Sequence, residues 1–130
     1  MSKQKYSAPV VLVVDDESLL RMNAVDVLEA SGFAAIEAAH ADEALIALST
    51  HPEITVLFTD VHMPGRLDGL KLARTVHELW PNIQLIITSG HACPTIDEMP
   101  VDGKFIAKPY ALDVVIRTII AGQRSRFQSI

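Results

Sequence analysis

Residues Val10 to Ser18 read VVLVVDDES. Five aliphatic residues make a run of strand length, and the chain then passes directly to Asp15, Asp16 and Glu17. A run that is apolar at every position belongs to a strand covered on both faces, as in a parallel sheet. Packing gives no reason to end such a strand on three adjacent carboxylates. The stretch therefore predicts a fold class and, at the strand's carboxyl end, a demand for positive charge.

The rest of the chain repeats the pattern. Leu20, Ala24, Val27, Leu28 and Ser31 recur at helical spacing, and Gly32 is placed to end that helix. A second strand covers residues 33–38. Ala41, Ala44, Leu45 and Leu48 mark a second helix, closed near Pro52. Residues 54–59 form a third strand that runs into Asp60, followed by the turn-rich HMPGRLDG. Leu72, Ala73, Val76, Leu79 and Trp80 give a third helix, stopped by Pro81. Residues 83–88 are a fourth strand, ending at Ser89-Gly90. In HACPTIDEMP, Pro94 and Pro100 leave room for about two helical turns at most. Residues 104–107 are the fifth strand. Leu112, Val115, Ile116, Ile119 and Ile120 make an amphipathic helix that Gly122 is expected to end. Strand and helix thus alternate five times, which predicts right-handed crossovers and a doubly wound parallel α/β sheet of five strands. The expected organisation is a leader over residues 1–9, a single domain over 10–122 and a frayed tail over 123–130. With eight residues after Gly122, no output domain is expected to follow.

Size and composition narrow the function. A chain of 130 residues, 49% hydrophobic and 21% charged, suits one domain with a real core. A net charge of −5 argues against a nucleic-acid binder working through a broad basic face. The lone Cys93 cannot form an internal disulfide, and it reads as a small packing residue in a reducing cytosol. The first apolar run is too short for a signal-peptide core or a membrane span. A soluble cytoplasmic protein is the expectation.

In open parallel sheets, ligands lie beyond the carboxyl ends of the strands. Asp15-Asp16, Asp60, Ser89 and Lys108 all fall at such ends. Three carboxylates gathered there repel one another unless a cation is present. Oxygen ligands suit Mg²⁺ better than zinc. With Lys108 as a second positive charge and Ser89 as a hydroxyl donor, the set is equipped for phosphoryl transfer by positioning and electrostatics. A carboxylate can itself be the nucleophile.

Asp15-Asp16, then Asp60 with Met63-Pro64 and Asp68-Gly69, then Ser89-Gly90, then Lys108-Pro109, resemble the receiver domain of bacterial two-component response regulators. The resemblance runs from about Val10 to Gly122. It implies the flavodoxin-like (β/α)5 fold with strand order 2-1-3-4-5, and a role for each residue. Asp60 is the implied phosphoacceptor. Asp16 and Asp60, with the backbone carbonyl of His62, would hold Mg²⁺, and Asp15 would act mostly through water. Lys108 would pair with phosphoryl oxygens. Ser89 and Phe105 would form the switch pair, and the Lys108-Pro109 bond is often cis in such proteins. His62 and His91 flank the phosphoryl position and are expected to tune its lifetime. The implied donor is a histidine kinase or histidine phosphotransfer protein, the implied output is a switched protein-binding surface or a phosphate passed on in a phosphorelay, the downstream protein target is open, and a homodimer is compatible with the reading. Two departures stand out. The turn MPGRLDG holds one residue more than the usual form, and the segment between Ser89 and Lys108 is short.

Taken singly, each residue has an ordinary reading: Asp16 as a helix cap, Ser89-Gly90 and Lys108-Pro109 as turns. Glu17 reads as a favourable first-turn charge, and His40, His51 and His77 as surface residues. Only the ordered set favours function. An Mg²⁺-dependent phosphohydrolase with an aspartate nucleophile is the enzymatic alternative, but it would carry Asp-x-Asp after the first strand and a cap domain. A flavin or nucleotide module would need a glycine- or hydroxyl-rich loop where this chain has carboxylates.

Overall fold

The computed structural model describes residues 8–63, 68–90, 94–95 and 97–128, with side chains described as far as Ser125. The elements are β1 (Val10–Val14), α1 (Ser18–Ala30), β2 (Ala34–Ala38), α2 (Ala41–Thr50), β3 (Val56–Asp60), α3 (Gly69–Leu79), β4 (Gln84–Ser89), β5 (Lys104–Ala107) and α4 (Leu112–Gln128). All strand pairs are parallel, in the order β2-β1-β3-β4-β5. This is the expected sheet.

The pleat divides the apolar strands between two cores. Leu12, Val14, Leu57, Leu85 and Ile87 face α2 and α3, where Ala44, Leu48, Leu72 and Val76 meet them. Val11, Val13, Val56, Phe58 and Ile86 face α1 and α4 and pack on Ala24, Val25, Leu28, Val115 and Ile119. A side-chain period of two explains why these strands are apolar throughout. Each neighbouring residue has its own core to fill.

Helix termini follow local chemistry. Gly32 sits at φ +96°, and Phe33 N–H donates to the Leu28 carbonyl across it, so α1 ends as expected. His40 caps α2, its Nδ1 accepting from Glu43 N–H at 3.4 Å, while Glu43 accepts from Ala39 N–H. Asp68 caps α3 by accepting from Lys71 N–H at 2.9 Å.

Three expectations need correction. The buried stripe of α1 is Ala24, Val25 and Leu28, and Leu20 is 42% exposed. The face of α1 that meets Val11 and Val13 of the sheet carries Ala24, Val25 and Leu28, so contact with the sheet picks the buried stripe. On α4, Val115 and Ile119 are buried while Ile120 is exposed, for the same reason.

Gly122 does not end α4, which continues to Gln128. Its lack of a side chain serves packing: a Cβ there would overlap the amide of Gln84. Gln84 is only 2% exposed, and its amide donates to the Thr118 carbonyl at 3.1 Å and accepts from Gln123 Nε2 at 2.7 Å.

Between β4 and β5 the described residues form turns. Thr95 and Glu98 cap each other reciprocally, Thr95 N–H to Glu98 Oε1 at 2.8 Å and Glu98 N–H to Thr95 Oγ1 at 3.3 Å. This capping box starts a single turn that Pro100 does not allow to lengthen. Met99 from that turn packs on the α2/α3 core, and Arg74 of α3 donates to the Glu98 carbonyl. Among the described residues, no helix is long and apolar enough to cross a membrane.

Candidate functional site

The chain leaves β1 toward β2 on one side, and β3 lies on the other. A crevice opens where connections diverge, at the carboxyl ends of β1 and β3. Asp15 and Asp16 follow β1, and Asp60 ends β3. One carboxylate oxygen from each lies within 4.8 Å of the others. Asp15 and Asp60 are 5% and 6% exposed, whereas Asp16 is exposed.

Each buried acid is held differently. Asp15 Oδ1 accepts from Glu17 N–H at 2.9 Å, and Asp15 N–H donates to the Ala38 carbonyl at 3.2 Å. Asp60 Oδ1 accepts from His62 N–H at 3.3 Å, and its Oδ2 accepts from Lys108 Nζ at 3.1 Å. Lys108 Nζ also lies 3.9 Å from Asp15 Oδ2. Burial pushes the Asp15 carboxyl above its ordinary value, and Asp60 and Asp16 add repulsion; Glu17 N–H and Lys108 pull the other way without prevailing. Burial pulls the Lys108 ammonium down, but its bond to Asp60 and the charges of Asp60, Asp15 and Glu17 outweigh that and raise it. Asp16 has no hydrogen-bond partner among the described residues. The N-cap position of α1 is Glu17, so Asp16 is not serving as the cap.

The remaining expected residues fall into three groups. Ser89 ends β4, is buried, and its carbonyl accepts from Lys108 N–H at 3.0 Å, which places the hydroxyl-bearing residue beside the lysine. The Lys108-Pro109 bond is cis. Phe105 pairs in register with Ile87 and packs half-buried on the α2/α3 core. His62 is exposed beyond Asp60, with its N–H on the Asp60 carboxylate. His91, Pro64 and Cys93 lie outside the described residues.

Sequence reasoning gave no role to four contributors, although it named Gly69 within a motif. Gly69 opens α3 where a Cβ would overlap the carbonyl oxygen of Asp60, and its N–H donates to the Val61 carbonyl at 2.8 Å. Only a glycine lets α3 start this close to the acid-bearing strand; its place in Asp68-Gly69 was the available signal. Thr88, paired in register with Asp60, is buried, and among the described residues its Oγ1 is the buried side-chain atom without a hydrogen-bond partner. The Tyr110 ring meets Phe58 edge-on at 5.7 Å, and burial together with Asp15 and Asp60 pushes its phenol up to about 12. The fourth is Arg21, whose Nη1 donates to the Asp15 carbonyl at 2.7 Å. Nothing in the local sequence marks Thr88, Tyr110 or Arg21.

The donor set fits a hard divalent cation. It consists of carboxylate oxygens, with no thiol or imidazole among the clustered ligands. Among the described residues, three carboxylates face the Lys108 ammonium, which pairs with Asp60 and Asp15, and no ion pair is made by Asp16.

Comparison with known proteins agrees with the geometry. A family model described as the response regulator receiver domain matches residues 11–120. The chain is 35% identical over 123 residues to the C4-dicarboxylate transport transcriptional regulatory protein DctD of Rhizobium meliloti, covering 92% of this chain and 26% of that protein. It is 28% identical to the response regulator receiver protein CpdR of Brucella abortus, covering 84% of this chain and 92% of that protein. The sensor kinase CckA of Brucella abortus is 35% identical over 84% of this chain, which spans only 12% of its length. Among solved structures, a receiver domain from Clostridium thermocellum superposes with a TM-score of 0.85 at 25% identity, covering 94% of this chain and 99% of that one. The receiver domain of a hybrid histidine kinase CckA superposes with 0.73 at 27%, covering 87% and 97%.

Proposed function

This chain belongs to the response regulator receiver family, whose members are signalling domains rather than classical enzymes, and we propose that it accepts a phosphoryl group on Asp60 from a histidine kinase or histidine phosphotransfer protein. The observation that carries the reading is the bridge made by Lys108, 3.1 Å from Asp60 and 3.9 Å from Asp15, over a trio of carboxylates that one ammonium balances only in part among the described residues.

The chemistry follows from that arrangement. An Asp60 carboxylate oxygen attacks the phosphorus of a phosphohistidine; the P–N bond breaks, its electron pair stays on the imidazole nitrogen, and an acyl phosphate forms on Asp60. Lys108, already on the Asp60 carboxylate, is placed to follow the charge onto the phosphoryl oxygens. Asp16 and Asp60 with the His62 carbonyl would hold Mg²⁺ directly and Asp15 through water. The ion, when bound, offsets the repulsion between these carboxylates and an incoming phosphoryl group.

In this reading residues 10–122 are the functional unit, in the cytoplasm. Ser89 and Phe105 report the phosphate by shifting a pre-existing equilibrium between two surfaces, and His62 and His91 set how long the acyl phosphate lasts.

Mg²⁺ with acetyl phosphate tests the assignment by intact-protein mass. One added phosphoryl group is expected in the parent and none in Asp60→Asn. Labelling that persists in the variant would move the acceptor elsewhere, and continuous turnover of acetyl phosphate at enzymatic rates would favour a phosphohydrolase.

A further inference from the structure

Arg21 lies in the first turns of α1, one turn past the acid pair, and its guanidinium is engaged on two sides. Nη1 donates to the Asp15 carbonyl at 2.7 Å, and Nε donates to Glu37 Oε1 on β2 at 2.9 Å. The Arg21 side chain is 17% exposed. The fork of a guanidinium suits two acceptors at fixed angles, which a single ammonium does not match.

The carbonyl that Arg21 grips belongs to the peptide joining Asp15 to Asp16. Among the described residues that peptide is otherwise anchored on the Asp15 side, through Asp15 N–H on Ala38 and the Asp15 carboxylate on Glu17 N–H. Asp16 itself is exposed, and its carboxylate is unpartnered among the described residues. The plane of the peptide that carries it sets where its Cα–Cβ bond departs, and so which rotamers reach Asp15 and Asp60. The Arg21–Glu37 pair is partly exposed, so its direct worth to stability is small.

We propose that Arg21 is a positioning residue for the cation site, fixing the Asp15–Asp16 peptide so that the Asp16 carboxylate faces Asp15 and Asp60. The inference rests on reading those three acids as the Mg²⁺ site. Charge and geometry make opposite demands here, which gives the test its sign. A guanidinium near the acids repels a cation, so by charge alone its removal tightens Mg²⁺ binding. If Arg21 acts by position, its removal weakens binding despite the lost repulsion. Groups that orient metal ligands typically contribute about ten- to a hundredfold in affinity.

The experiment titrates Mg²⁺ into the full chain and follows the amide signals of residues 15–17 by NMR, with a thermal melt of each variant. Arg21→Gln is expected to bind Mg²⁺ about tenfold more weakly. Arg21→Lys, which keeps the charge and loses the fork, is expected to weaken it as well. Both should retain dispersed spectra and near-parental melting. If Arg21→Gln does not fold, Glu37→Gln replaces it, with a smaller loss expected because only the outer anchor weakens. Unchanged or tighter binding in a folded variant overturns the proposal. So does full rescue by lysine. A parent without any saturable Mg²⁺ response would instead remove the cation site itself, and this inference with it.

Discussion

At Asp15, burial and charge oppose each other. The folded protein favours the protonated carboxyl, because burial and neighbouring acids raise its pKa above the ordinary value. The contribution to stability is therefore complete below the ordinary carboxylate range and is lost as pH rises through the raised value. Asparagine can keep the bond from Glu17 N–H without ionising. Asp15→Asn should stabilise the metal-free protein at pH 7 by on the order of 1 kcal/mol, a typical size for such a change. The gain should vanish near pH 3, as measured by denaturant unfolding at the two pH values. A gain independent of pH would mean that charge is not its source. Asp60 and Lys108 were marked as candidates by their places at strand ends, and the roles expected of them came from the resemblance. Arg21 and Tyr110 were not, because neither has a local pattern; each matters only through what lies beside it in space.

At the scale of elements, the informative case is Gly122. Glycine after a periodic apolar stripe reads as a helix stop, yet α4 passes through it for six more residues. The reason is Gln84, a buried polar residue at the start of β4 that needs its amide satisfied by Thr118 and Gln123. Helix propensity alone makes Gly122→Ala stabilising by about 1 kcal/mol. Here the added methyl would displace the Gln84 amide and break both of its bonds, at a cost of about 1–3 kcal/mol. Net destabilisation is expected in chemical unfolding, and the same substitution made in a Gln84→Ala background should become neutral or stabilising. Destabilisation of equal size in both backgrounds would place the clash elsewhere. The β4–β5 connection teaches a similar lesson from the other direction. Two prolines limited the helix that the alternation called for, and the described residues retain one capped turn, fastened by Arg74 and Met99.

At the scale of the whole molecule, the sheet order is what creates the site. Lys108 and Asp60 are 48 residues apart in sequence and 3.1 Å apart in space. Gathering like charges costs stability, and a ligand that binds only the gathered arrangement returns it. Mg²⁺ at a hundred times its dissociation constant should raise the unfolding free energy by about 2.7 kcal/mol. The rise should be absent in Asp60→Asn and absent with NaCl at matched ionic strength. An equal rise with NaCl would reduce the effect to screening.

The strands, their parallel arrangement and the identity of the acids could be read from the chain itself. Hydrophobic period, terminal glycine and proline, and the placing of carboxylates at strand ends are local signals, and local signals survive without a structure. The face that each helix buries, the passage of α4 through Gly122, the unpaired Thr88 hydroxyl and the grip of Arg21 on the acid-bearing peptide were decided by tertiary packing. Each depends on the tilt and separation of elements distant in sequence, and those are set by the joint fit of two cores rather than by any one segment.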